Sequence, residues 1–140
     1  SRSNHFLLLD HKNNEKSVSP ICRKIRADEL LTKNFGRINR EKLIEFSMDH
    51  KNGPSENSIC RHSENIQESV TVSATIMEID RENPHESTIS IALGSPCWAW
   101  SKEDGNIIFR MDQDIEIIPK PFLDGSVYKE YIRNDARNTK

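Results

Sequence analysis

The segment Ser58-Ile59-Cys60-Arg61-His62 sets a thiol and an imidazole two residues apart. On an extended backbone such residues share a face, and a thiol beside an imidazole is the beginning of a nucleophilic pair. Side chains this close in sequence diverge more often than they meet. Spacing therefore favours a buried, inert Cys60 that packs as a small apolar residue. A second chemistry would draw on His50, Cys60, His62 and Asp49 as a zinc donor set, but no paired ligand spacing supports it, so spacing assigns neither a metal nor a cofactor. Ser1 would be a nucleophile if its α-amine were free, and Arg2-Ser3-Asn4 lends that idea no support. Trp98 and Trp100, following Pro96-Cys97, would line a pocket or pack at a sheet edge, and packing is the simpler reading. His5, His11 and His85 stand alone and read as surface or hydrogen-bonded structural residues.

The elements that must position these groups follow from hydrophobic period and turn chemistry. Phe6-Leu7-Leu8-Leu9 is a short apolar run, most simply a buried strand, and the polar stretch 10–16 is a loop. Ser19-Pro20 predicts a helix start, with a hydroxyl cap and proline in the first turn. Ile21, Ile25, Leu31 and Phe35 fall on one arc of that helix, and Gly36 stops it. The basic run Arg23-Lys24-Ile25-Arg26, followed by Asp28 and Glu29, reads as its solvated, salt-laced face. A second helix starts at Asn39, carries Glu41 and Glu45, turns Leu43 and Phe46 inward, and ends near His50 before Asn52-Gly53-Pro54. Helices joined by so few residues should lie side by side. Strict alternation then predicts strands at 70–76 and 88–93, an antiparallel hairpin closed by the turn 81–86. Asp104-Gly105 leads into a further strand at 106–109, and beyond Pro119 the chain is polar. The fold class is α+β, two antiparallel helices packed on one face of an antiparallel sheet.

Bulk composition narrows the partners. Of 140 residues, 34% are hydrophobic and 30% charged, thin for a self-sufficient core, so part of the apolar surface is expected to be completed by further chain. A net charge of −2 supplies no clustered positive field for nucleic acid or an anionic membrane. No apolar run approaches the roughly 18 residues of a membrane span. Three scattered cysteines, Cys22, Cys60 and Cys97, without CxxC spacing, point to a reducing, cytoplasmic compartment rather than a disulfide framework.

Several pieces, taken in order, resemble a known family. They are Ser3-Asn4-His5-Phe6; the helix 23–31 ending in Asn34-Phe35-Gly36-Arg37-Ile38; Met48-Asp49-His50-Lys51-Asn52; Ser58-Ile59-Cys60-Arg61-His62; the strand 71–79; and Gly94-Ser95-Pro96-Cys97. Over roughly residues 3–100 the chain resembles the downstream half of the isopenicillin-N acyltransferase family (acyl-coenzyme A:6-aminopenicillanic-acid acyltransferase-like proteins). These are choloylglycine-hydrolase-like, N-terminal-nucleophile enzymes. The resemblance implies an αββα sandwich of which residues 1–118 form part, with 119–140 a polar C-terminal extension. It implies that a precursor cleaves itself to expose an N-terminal cysteine, whose thiol attacks an amide or thioester while its own α-amine acts as base. Asn4 matches the position that donates to the oxyanion, and Arg61 the arginine beside the nucleophile. Cys60 stands where some relatives have serine, and Cys60 and His62 become supporting neighbours. None of the three cysteines stands in the nucleophile's motif, so the nucleophile is expected from an upstream part of the same precursor. The implied activity is acyl-amide hydrolysis or acyl transfer on a small amino-acid-derived substrate, with acyl-coenzyme A as a candidate substrate and no resident cofactor. The alternative is a non-catalytic binding or structural module built on the same fold. An apolar sheet face left open would favour a homo-oligomer.

Overall fold

A computed structural model of the protein describes residues 18–53, 55–62, 70–103 and 105–113. In chain order these form helix α1 (Val18–Lys33), helix α2 (Arg40–Ser47), strand β1 (Ser73–Glu78), a 3-10 turn (Pro84–Glu86), strand β2 (Thr88–Leu93), the short helix α3 (Pro96–Ala99) and strand β3 (Asn106–Arg110). The strands make one antiparallel sheet in the order β1-β2-β3. The α+β class is therefore as expected. The proposed strand at 6–9, Asn4, and the extension 119–140 lie outside the described residues.

Helix α2 starts where capping chemistry places it. Asn39 Oδ1 accepts the Lys42 N–H at 3.0 Å, satisfying one of the first-turn donors that a helix leaves unpaired. Glu41 sits at the positive end of the helix dipole. Phe46 is buried, on the expected inner face. The following turn closes with the Gly53 N–H donating to the His50 carbonyl at 2.9 Å.

The sheet has two different faces. Arg40 of α2 reaches Glu78 Oε2 (3.3 Å) and Ser90 Oγ (3.4 Å), which fixes Ala74, Ile76, Ser90 and Ala92 as the helix-covered side. Ile76, Ser90 and Ala92 are buried there. Small residues opposite Ile76 let the helix approach closely. The other face carries Met77, Ile89, Phe109, Ile91 and Ile107 in register, and Met77 is 63% exposed. The strand predicted at 70–76 is displaced: it begins at Ser73 and runs to Glu78, because Thr71 is engaged with the preceding loop.

Helix α1 departs most from expectation. Ser19 lies inside the helix and, instead of capping it, donates its hydroxyl to the Glu56 carbonyl. Ile25 and Phe35, placed inward by the apolar arc, are 55% and 87% exposed. The helix docks through a polar stripe instead, with Ser19, Arg26 and Glu29 all bonded to the loop at 49–56. Positions 19, 26 and 29 share a face at helical spacing. The basic run is thus only partly a solvated face: Lys24 pairs with Asp28, while Arg26 turns inward to Asp49.

Two glycines shape the connection from β2 through α3 to β3. Gly94 has φ 124°, a conformation other residues rarely adopt, and its N–H donates to the Val72 carbonyl at 3.0 Å. Gly105 lies so close to α3 that an added Cβ would stand 2.2 Å from the Ala99 carbonyl oxygen and 2.9 Å from its carbon. Backbone cannot yield as a flexible side chain can. The expected outcome for Gly105→Ala is a loss of about 3 kcal/mol, the upper part of the overpacking range, read as a lowered urea midpoint. An unchanged midpoint would show that α3 is not seated on Gly105.

Candidate functional site

Three segments distant in sequence meet beside the end of the sheet. The Cys60 N–H donates to the Asp49 carbonyl at 3.1 Å, bringing the 58–62 loop against the 48–50 segment. Thr71 clamps the same loop from the other side. Its N–H donates to the Arg61 carbonyl (3.1 Å), its hydroxyl donates to the Ile59 carbonyl (3.1 Å), and the hydroxyl oxygen accepts the Arg61 N–H (2.9 Å). The next residue, Val72, holds Gly94 and so places Ser95-Pro96-Cys97 alongside. Asp49 is fixed by Arg26, with Nε 3.0 Å from Oδ1 and Nη2 2.7 Å from Oδ2. The guanidinium, with help from the Lys51 backbone N–H, holds the Asp49 carboxyl below the usual carboxylate range.

At the meeting point stand His50, Cys60, His62 and Cys97, whose donor atoms all lie within 4.8 Å of one another. His62 Nε2 is the centre: it is 3.0 Å from His50 Nε2, 3.4 Å from Cys60 Sγ and 3.3 Å from Cys97 Sγ. Its other nitrogen, Nδ1, faces the hydroxyl of buried Ser95 at 3.5 Å. Cys60 is fully buried. The Cys97 thiol is pushed down to about 4, first by its hydrogen bond with Cys60 and then, against the opposing effect of burial, by His62 and the charge of His50. The thiolate it favours is the form that attacks electrophiles and binds metals.

Two chemistries fit the group, an imidazole-paired thiolate and a two-thiol, two-imidazole metal centre. Cys60 and His62 converge, where spacing argued that they would diverge, because both side chains turn to the same side of an irregular loop pinned through its backbone. Of the four zinc ligands that composition suggested, three are present together. Asp49 is not, being engaged by Arg26, and Cys97 takes the fourth place. Nothing in the spacing signals Cys97, which lies 35 residues beyond His62 and arrives only through the Gly94 turn.

Arg61 lies between Cys60 and His62 in the loop, and its Nε is a buried N–H without a hydrogen-bond partner among the described residues. Nearby Arg23 has the same feature, and burial together with the positive charge of Arg61 lowers the Arg23 pKa. Trp100 donates its indole N–H to Ser47 Oγ at 3.0 Å, tying α3 to α2, which is the packing role. Among the described residues no helix is long and apolar enough to cross a membrane. No family model matches the chain, and the comparisons with curated proteins and with solved structures find no match either.

The Thr71 clamp is testable. Thr71→Val keeps the shape but leaves the Arg61 N–H and the Ile59 carbonyl unpaired, and is expected to cost about 2 kcal/mol. Thr71→Ser keeps the hydroxyl and is expected to cost less than about 1 kcal/mol. Equal urea midpoints for the two variants would remove the clamp from the account.

Proposed function

We propose that the chain is the downstream part of an N-terminal-nucleophile amide hydrolase or acyltransferase of the isopenicillin-N acyltransferase kind. The observation that carries this reading is convergence. Three pieces of the resemblance, 48–52, 58–62 and 94–97, meet at one place.

In this reading Arg61 stands beside the nucleophilic thiol supplied by the upstream segment. A buried guanidinium whose Nε–H has no partner among the described residues would favour thiolate and orient the α-amine that acts as base. The thiol attacks the acyl carbon, its proton passes to the α-amine, and that proton then leaves on the departing nitrogen. Asn4 would donate its side-chain amide to the oxyanion. The apolar face of Met77, Ile89, Ile91, Ile107 and Phe109, exposed at Met77 and half-buried at the others, suits the second sheet of an αββα sandwich. In this reading Arg61 and Arg23, close enough for the charge of one to lower the pKa of the other, would receive the carboxylate of a small acyl-amide substrate derived from an amino acid.

The test uses the complete gene product that carries these residues, assayed for acyl-amide hydrolysis. Arg61→Ala is expected to lower kcat by about 10²–10³-fold, the loss typical of one preorganised electrostatic donor, with a partial return in Arg61→Lys. Activity unaffected by Arg61→Ala would remove Arg61 from the chemistry, and a complete product without acyl-amide hydrolysis or acyl transfer would overturn the reading.

A further inference from the structure

We infer that His50, Cys60, His62 and Cys97 form a tetrahedral binding site for zinc, a structural centre that ties together the three segments meeting beside the sheet. The first argument is one of valence. A ring nitrogen has either a single N–H or a single in-plane lone pair, and so serves one strong partner. Yet His62 Nε2 has three polar atoms within 3.4 Å, from His50, Cys60 and Cys97. Hydrogen bonds cannot satisfy that convergence at one atom. A cation among the four donors does, because each then directs one lone pair at the same point.

The distances suit the ion. Zinc–nitrogen bonds of about 2.0–2.1 Å and zinc–sulfur bonds of about 2.3 Å at tetrahedral angles put nitrogens about 3.3 Å apart, nitrogen and sulfur about 3.5 Å, and sulfurs about 3.8 Å. The contacts at His62 are 3.0, 3.3 and 3.4 Å, and the whole donor set spans no more than 4.8 Å. Small adjustments of side-chain rotamers would complete the tetrahedron.

Donor chemistry selects the metal class. Two thiolates and two imidazoles exclude calcium and magnesium, which take oxygen ligands, and favour zinc. Four protein ligands leave no open position, so the centre holds structure and does no hydrolysis. The outer sphere is also present: Ser95 Oγ faces His62 Nδ1 and orients the ring with Nε2 inward. On the other side, Asp49 next to His50 is fixed by Arg26. Nothing here depends on the acyl-transfer reading. A chain that binds zinc but belongs to a product without acyl-amide hydrolysis or acyl transfer would keep this inference and lose that one.

The full chain, reduced and freed of metal, is titrated with Co²⁺ as a spectroscopic probe and then with Zn²⁺. The expected result is one equivalent of Co²⁺, giving the intense visible bands of tetrahedral cobalt and a thiolate charge-transfer band in the near ultraviolet, both abolished by one equivalent of Zn²⁺. Zinc should also raise Tm and chelator should lower it. Cys97→Ser, which leaves fully buried Cys60 in place, is expected to weaken binding by more than the roughly 10–100-fold lost on altering an outer-sphere partner. Cys22→Ser should leave it unchanged. The inference is overturned if the chain takes up no stoichiometric cobalt or zinc, if the cobalt spectrum lacks thiolate charge transfer, or if Cys97→Ser binds as tightly as the parent.

Discussion

Burying Cys60 and Ser58 in a loop sets the constraint from which the rest of the site follows. Both are fully buried, yet they lie outside any helix or strand, so no regular ladder receives their backbone groups. A buried N–H or carbonyl left unpaired costs about 1–3 kcal/mol, and each must find a partner elsewhere. The Cys60 N–H finds the Asp49 carbonyl, Ile59 and Arg61 find Thr71, and the Ser58 N–H finds the Ser55 carbonyl while its hydroxyl donates to the Gly53 carbonyl. These bonds are what bring His50 beside His62. The site is a by-product of satisfying a buried loop.

The same constraint explains why the first helix lies as it does. Its apolar residues are too few and too scattered to compete with the polar stripe that closes over the 49–56 loop. Arg26 makes a two-pronged pair with Asp49 in a half-buried setting, a stronger interaction than an exposed pair of the same charges. Glu29 and Lys51 add an exposed, weaker tie. Directional bonds therefore set the orientation of α1, and Ile25 and Phe35 are left facing out.

That outcome marks the limit of what the sequence reveals. Period-two alternation located β2 residue for residue, and Asn39 with its carboxylate-bearing first turn located α2, because those signals are local and act within a few residues. The arc of Ile21, Ile25, Leu31 and Phe35 misled because hydrophobic period reports which face would be buried if packing were apolar, and here it is not. The site was half legible. Cys60 and His62 stood out as residue types, and His50 was named with them. Their convergence depended on Thr71, whose hydroxyl looks like any strand threonine. Cys97 was invisible as a partner because only the positive φ of Gly94 returns the chain to the loop.

The alternation of the loop separates two roles that crowd the same five residues. Cys60 and His62 point to one side, where they meet His50 and Cys97; Arg61, between them, lies close enough to Arg23 of α1 to lower that residue's pKa. A backbone pinned at 59, 60 and 61 cannot rotate to exchange these sides without giving up its bonds to Thr71 and Asp49. A closed metal centre on one side would then stiffen the guanidinium on the other without touching substrate, since holding Cys60 and His62 holds the residue between them. Catalytic groups need placement to within a fraction of an ångström, and a loop alone supplies that poorly. In the proposed arrangement the thiols and imidazoles would secure geometry, and Arg61 would supply the charge.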